Sequence, residues 1–380
     1  MRILHTADLH LGRQFHGISL EQDHAMILEQ LMQALIAHKP DVFVISGDIF
    51  DRATPPATAV RQFNEFIKQV AHKTKAVVVL IAGNHDSGDR IESMSVMTDQ
   101  RRALIRGPLS GDERTLLLHD ESGPVAISAL PFGYEFAARE CFGDETIATP
   151  EHVIRAQIAS TRRHVPNGAR WIVVAHAFVL GANSSESERP LARVGGIETV
   201  PHDVFTGAHY VALGHLHRPQ HVGATHIRYA GSPLAFSFDE VDTAKSMTLI
   251  NLAADGTTEI QTLPFAPLRG VRVLRGKLAD LLVTQASNDF VKVVLTDQVS
   301  LIDPMKRIRE VFPNASMLTY QRDELPSGIG STEIAHTSLT DPSQVISNFL
   351  EHVRGSSPTE GETELIVTAI AAIREQELRT

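Results

Sequence analysis

Apolar and polar residues follow one another along this chain in blocks that predict strands and helices in turn. The β-branched runs "RILHT", "DVFVI", "AVVVLI", "WIVVA" and "YVAL" read as buried strands. Between them, Leu28, Leu31, Met32 and Leu35 recur at helical spacing and predict a helix over 21–38. A second helix is expected to start after Pro55-Pro56, and a third over 150–163 with Pro150 in its first turn. Beyond residue 217 the pattern changes to short strands, "HVGAT", "HIRYAGS", "MTLINL" and "TEIQTL", with Ala254-Asp255-Gly256 as a hairpin turn. Parallel and antiparallel pairing are therefore mixed. The expected class is α/β, with two packed mixed β-sheets flanked by helices.

The pattern weakens after this first domain, placed at 1–265. "LPFAPLRG" at 263–270, with two prolines and a glycine, marks its boundary. A small α/β domain follows over 270–322, with strands "VRVLRG", "FVKVVLTD" and "ASMLTY" and helices "KLADLLVTQ" and "PMKRIREVF". Residues 323–340 have little to bury and read as a linker. Over 341–380 two amphipathic helices are expected. Val345, Ile346, Phe349, Leu350 and Val353 share a face in one; Leu365, Ile366, Ala369, Ile370 and Ile373 share a face in the other.

Composition narrows the setting. Hydrophobic content of 43% and charged content of 21% suit a globular chain of 380 residues with more than one core. No run approaches the roughly 18–20 apolar residues that span a bilayer, and "MRILHTADLH" lacks the layout of a signal peptide. The single cysteine, Cys141, suits a reducing cytoplasm. Net charge is −10, so a polyanion would have to be gripped by local patches, metals or a partner. Local basic candidates are Arg13, Arg90, Arg101 and Arg102, and the polar loop 181–196 is a candidate for substrate contacts.

The candidate chemistry sits where the strand runs end. Asp8 and His10 follow the first, Asp48 and Asp51 the second, Asn84 and His85 the third, His176 the fourth, His215 and His217 the fifth. Side chains past the strand ends of an α/β sheet face the ligand crevice. Any one of these blocks alone is weak, since GD and GNHD are common turn sequences. All five in order are not. Aspartate, asparagine and histidine together fit two divalent ions, best Mn²⁺, with Fe²⁺ or Zn²⁺ also suited. On extended backbone, residues i and i+2 point the same way, so Asp8 with His10, and His215 with His217, could each reach one ion. Asp48 could bridge two ions. Such a pair would acidify a water and polarise a phosphoryl group. His85 is then placed to act on the substrate, with Asp51 orienting it by accepting its other ring proton. Asp51 and Asp86 could equally be caps or loop salt bridges, and His5, His24, His119 and His164 read as core or surface residues.

The order D-x-H, GD-x-x-D, GNHD, H, GH-x-H resembles the calcineurin-like metallophosphoesterase superfamily. "SGDIFDRATPP", "LGHLHRPQ" and "RYAGSPLAFSFDE" further resemble its double-strand-break repair nuclease family, in particular the bacterial SbcD-type exonuclease subunits. The resemblance is strong over residues 1 to about 245. It implies one metal on Asp8, His10, Asp48 and His217, the other on Asp48, Asn84, His176 and His215, with His85 as the catalytic histidine. It also implies Mn²⁺, homodimerisation, a cytoplasmic nucleoid-associated setting, and an SbcC-like SMC-family ATPase as partner. The activity it implies is ATP-dependent exonuclease and endonuclease action on DNA in repair and recombination. A capping role falls to the small domain and ATPase docking to 341–380. At Asp51 several archaeal and eukaryotic members carry histidine, whereas bacterial members resemble this sequence. Two other functions share the metal ligands: a stand-alone phosphodiesterase for cyclic nucleotides or small phosphoesters, and an inactive scaffold subunit of an ATPase. The extra domain and tail argue against the first, and the intact His85 against the second.

Overall fold

The computed structural model describes residues 1–96, 102–188, 192–193, 196–197, 199–324 and 342–377. Two six-stranded sheets carry the first part of the chain. One is ordered Thr258–Pro264, Ser246–Leu252, Arg2–Thr6, Val42–Ser46, Val77–Ile81, Ala103–Arg106. The other is ordered Gln220–Val222, Ala224–Tyr229, Tyr210–Gly214, Arg170–His176, Gly123–Leu130, Leu116–Asp120. In each sheet the central strands run parallel and the edge hairpins antiparallel. All five predicted runs are central strands, which explains why they are apolar on both faces.

Those two faces meet different neighbours. Ile3, Val42, Val44, Val79 and Ile81 of the first sheet pack with Val125, Ile127, Ile172, Val174 and Ala212 of the second. Each such fully buried Val or Ile contributes roughly 1.5–3 kcal/mol. On its other face the first sheet packs against Ile27, Leu28, Leu31, Leu35, Phe63 and Phe66 from two helices, Glu21–His38 and Ala57–Lys73. The second sheet is covered in part by Ile154 of helix Pro150–Arg162. The result is the expected pair of mixed sheets between helices.

The helix ends follow local chemistry. Glu21–His38 stops at Lys39, whose φ of 46° is left-handed, just before Pro40. Thr149 caps Pro150–Arg162 by accepting from the His152 amide. The hairpin at 254–256 is closed by Ala253 N donating to Thr257 O at 2.9 Å.

Cα packing separates two compact units. The first is Met1–Val273 with Gln285–Lys292 and Ile308–Met317; the second is Leu274–Thr284, Val293–Arg307 and Leu318–Thr380. Val271–Gly276, Phe290–Leu295 and Ala315–Tyr320 form the expected three-stranded sheet, with Phe290–Leu295 in the middle. "KLADLLVTQ" shortens to one turn, Leu278–Leu281, because Thr284 turns back to donate its hydroxyl to Leu281 O at 2.7 Å. The linker expected at 323–340 lies almost wholly outside the described residues. Helices Pro342–Arg354 and Glu360–Glu377 follow. Thr359 and Glu362 cap the second one reciprocally, and Arg354 holds Glu362 through two contacts of 2.6 Å. No helix among the described residues is long and apolar enough to cross a membrane.

Candidate metal centre

The five strand ends converge. Asp8, His10, Asp48, His176, His215 and His217 are all essentially buried, and His85 is 6% exposed. The loops carrying them lie so close that glycine is required: a Cβ on Gly83 would strike the Asp48 carboxylate, and one on Gly214 would strike Ser46 O. The backbone reading of the i, i+2 pairs needs correction. Asp8, His10, Asp48 and His215 have φ of 52°, 45°, 50° and 103°, so the chain there is left-handed rather than extended. In consequence His215 and His217 face different partners. His217 Nε2 lies 3.1 Å from His10 Nε2, while His215 Nδ1 lies 3.0 Å from Asn84 Oδ1.

Accounting for donors and acceptors shows what the cluster lacks. His176 Nδ1 donates to Ser46 O at 2.8 Å, which leaves the lone pair of a neutral ring on Nε2. That Nε2 points at Asn84 Oδ1, 2.9 Å away, and Asp48 Oδ2, 3.4 Å away, both acceptors. His217 Nδ1 donates to Ser187 Oγ at 2.5 Å, because that hydroxyl spends its own proton on Glu240 Oε1 at 2.6 Å. Its Nε2 therefore also carries a lone pair. Asp8 Oδ2 and His10 Nδ1 are buried without a hydrogen-bond partner. Acceptors converging on acceptors need a cation between them, so these residues fit divalent metal. Asp48 Oδ2 is common to both sides, 3.7 Å from His10 Nε2 and 3.4 Å from His176 Nε2. Donor atoms of Asp8, Asp48 and His176 all fall within 4.8 Å of one another, as do those of His10, Asp51 and His85.

Electrostatics agree with that fit. Burial pushes Asp8 well above the ordinary carboxylate range. Burial works the same way on Asp48, but the imidazoles of His176 and His10 outweigh it and hold Asp48 well below that range. Against the burial penalty, Asp48 and Asp8 raise His176 to about 9, so without metal a proton takes the cation's place. Burial lowers His215 to about 3 and His217 well below its ordinary value, which keeps both in the neutral, metal-binding form.

His85 sits beside this set. Its amide donates to Asp48 Oδ1 at 2.8 Å, and its Nδ1 donates to the main-chain carbonyl of Asp51 at 2.7 Å. The atom of Asp51 that meets the His85 ring is its main-chain oxygen. The Asp51 carboxylate lies 3.4 Å from Arg13, 3.6 Å from His10 and 3.6 Å from Arg52. Asp86 latches loops together, accepting from the amides of Ile49, Phe50 and Gly83 at 2.9–3.1 Å. Burial and the nearby Asp48 charge raise it to about 7.

Several residues that hold the site were not singled out from sequence. Glu240 pairs with Lys245, both buried, and Lys245 also donates to His217 O at 2.8 Å and Ser232 Oγ at 2.9 Å. Glu188 accepts from the His217 amide at 2.6 Å. The only available sign was that "SFDE" and "YAGSP" stood out as family-specific without an assigned task. Ser187 and Glu188 lie in the loop expected to touch substrate, yet both reach inward to His217; residues 189–191, 194 and 195 of it are outside the described residues. Of the basic candidates, Arg13 is held by Asp51, Ser187 O and the face of Phe236. Arg102 donates to Ala71 O and Thr74 O, at the end of the sheet away from the centre. Arg101 lies outside the described residues.

A calcineurin fold with this histidine and carboxylate cluster defines a class, and comparison bears it out: the chain belongs to the calcineurin-like phosphoesterase family, which matches residues 1–219. Residues 265–354 match a second family, described as the type 5 capsule protein repressor C-terminal domain. Among individual proteins, the chain is similar to the SbcD subunit of nuclease SbcCD from Staphylococcus saprophyticus subsp. saprophyticus, at 29% identity over 380 residues, 99% of each chain. It is also similar to the SbcD subunit of nuclease SbcCD from Staphylococcus epidermidis, at 27% identity over 381 residues, covering 99% of this chain and all of that one.

Proposed function

We propose that this chain is a metal-dependent DNA nuclease, the catalytic subunit of a DNA repair and recombination complex. Its relatives carry the nuclease name along their full length. The observation that carries the reading is the acceptor cluster around Asp48 Oδ2, with His85 beside it. Asp8, His10, Asp48 and His217 would hold one divalent ion, and Asp48, Asn84, His176 and His215 the other; Mn²⁺ suits the donor set best. When bound, the two ions supply Lewis acidity and a nucleophile at neutral pH. The protein's share is positioning. His85, its Nδ1 fixed by Asp51 O, presents Nε2 to the substrate, and as imidazolium it donates a proton or a hydrogen bond to the leaving oxygen. The buried carboxylates and imidazoles keep that arrangement fixed before substrate arrives.

The complex would include an SbcC-like SMC-family ATPase, docked on helices Pro342–Arg354 and Glu360–Glu377, and a second copy of this chain. Phe349, Val353 and Leu365 of those helices are 62%, 64% and 71% exposed, an apolar surface suited to a helical partner. The acidic balance fits a subunit that shares its DNA grip with a partner, and the setting proposed is the cytoplasm, at the nucleoid. The test compares wild type and Asp48→Asn in Mn²⁺, on linear duplex, plasmid and a small phosphodiester, with and without the ATPase and ATP. Wild type should cleave DNA, faster with ATPase and ATP. Asp48→Asn should lose both bound ions and the cleavage. A wild type that hydrolyses only the small phosphodiester would overturn the nuclease reading.

A further inference from the structure

Segment 131–136, "PFGYEF", leaves strand Gly123–Leu130 at the same end of the sheet as His176, since Leu130 pairs with Ala175. It is tied to the metal-centre loops by Phe132 N, which donates to Ala82 O at 2.9 Å, two residues before Asn84. From there three aromatic rings lead outward. Phe132 meets the His176 ring edge-on at 6.3 Å, and Tyr134 meets Phe132 edge-on at 5.0 Å. Phe136 then stacks on Tyr134, with centroids 5.6 Å apart and planes 11° from parallel. Phe132 is half-buried, Tyr134 is 48% exposed and Phe136 65% exposed.

Exposure is unusual for this chain's phenylalanine, tyrosine and tryptophan residues. Among those described, only Tyr134, Phe136 and Phe349 are exposed, and the first two stand face to face, joined through Phe132 to the proposed ligand His176. Packing of the fold does not require this, since every other such ring described in the first unit is at least half-buried. The pair is rigidly mounted at a helix start: Tyr134 O accepts from Ala138 N at 3.0 Å at the head of Glu135–Phe142. We infer that Tyr134 and Phe136 form a stacking platform for an unpaired nucleobase of the strand whose phosphate occupies the metal centre. The inference rests on the nuclease reading above and extends it to how that strand is held.

Physical reasons favour a base as the occupant. Every nucleobase has a π-face, so aromatic rings hold single strands without sequence preference. The track begins at a metal-site imidazole and ends in solvent, the direction a strand must take away from a phosphate bound at the centre. With a net charge of −10, the chain gains from a contact that does not depend on basic side chains.

The test uses the full chain with Mn²⁺ and single-stranded oligonucleotides carrying 2-aminopurine, or an abasic residue, at each position near the cleaved end in turn. Wild type should quench 2-aminopurine at one position, and an abasic residue there should weaken binding on the order of tenfold, the usual loss of one base–aromatic stack. Tyr134→Ala with Phe136→Ala should weaken binding of the intact strand by the same factor and lose nothing more on the abasic one. Tyr134→Phe should bind like wild type. Phe136→Leu keeps apolar bulk without a ring face and should show the loss at an unchanged Tm, which guards against misfolding of the double variant. Variants that bind and quench like wild type overturn the platform; if they lose the ATPase instead, the rings are a protein-docking surface. A wild type that cleaves no DNA overturns the nuclease reading instead.

Discussion

Ser187→Ala should uncouple one metal site from the other. In the native chain the Ser187 hydroxyl stands between His217 Nδ1, at 2.5 Å, and Glu240 Oε1, at 2.6 Å. It fixes the ring's tautomer and its rotation, so that Nε2 faces His10 with a free lone pair. Removing such an outer hydrogen bond behind a ligating histidine usually costs about 10–100-fold in metal affinity, or roughly 1.4–2.7 kcal/mol. Among the described residues no hydrogen bond joins Ser187 to His176, His215 or Asn84, so the second ion should bind as before. The fold should lose only about 1 kcal/mol, because the Glu240–Lys245 pair stays intact. Glu240→Gln is the contrast. Lys245 is 8% exposed, and burial already pulls its ammonium below the ordinary range. Leaving that buried cation without its carboxylate costs about 3–5 kcal/mol, a fall on the order of 10 °C in Tm.

The assay is Mn²⁺ titration of the metal-free protein followed by the electron paramagnetic resonance of free Mn²⁺, with thermal melts alongside. Ser187→Ala should show one wild-type site and one weakened site at nearly unchanged Tm. Two wild-type affinities would show that the hydroxyl does not brace the ligand. Equal weakening of both sites would show a general disturbance instead of a specific one.

Three further outcomes follow from other parts of the molecule. His85→Gln should keep both ions and the fold but slow single-turnover DNA cleavage by about 10²-fold or more; a near-normal rate refutes the catalytic role. Burial holds His5, wedged between Ser46 Oγ and Tyr210 OH, down to about 3 against 6.5 unfolded. The stability it lends is therefore complete above its unfolded pKa and is lost as pH falls toward its folded one. Metal-free His5→Gln should lose about 2 kcal/mol less than wild type between about pH 7.5 and about pH 5 in urea unfolding, and equal losses would refute this. Truncation after Thr340 should leave metal content and intrinsic cleavage intact while abolishing co-purification with the ATPase; retained affinity would rule out docking on the terminal helices.

The sequence was most readable where a single local rule governs. The helix over 21–38 emerged with the same limits as Glu21–His38, because its apolar spacing, its stop before Pro40 and its burial all agree. The convergence of the candidate residues was readable because side chains past the strand ends of an α/β sheet face one crevice. What failed was the local geometry between neighbouring candidates. Asp8, His10 and His215 have positive φ, a conformation uncommon for residues with a Cβ that spacing alone does not announce. That the His85 ring meets the main-chain oxygen of Asp51 depends on loop backbone that spacing does not encode. The Ser187–Glu240 brace joins residues 53 apart, with no periodicity to announce it.

These failures share one physical cause, and it bears on how the centre works. Seven non-glycine residues have positive φ among those described, and four of them are proposed metal ligands. Each costs on the order of 1–3 kcal/mol and persists only where surrounding structure over-determines it. Here the surroundings are the interlocked loops of two sheets, spaced so tightly that Gly83 and Gly214 admit no side chain. The sheets' apolar interior, from Ile3 to Val174, supplies the stability that such backbone consumes. The donors are thus held together whether or not an ion is present, and the remaining mismatch is one of charge: lone pairs of His176 and His217 face other acceptors. A cation relieves that mismatch without moving the frame. The same rigidity explains why the ring track from Phe132 to Phe136 can keep a fixed distance from the reacting phosphate, since Phe132 hangs from Ala82 in the loop that carries Asn84.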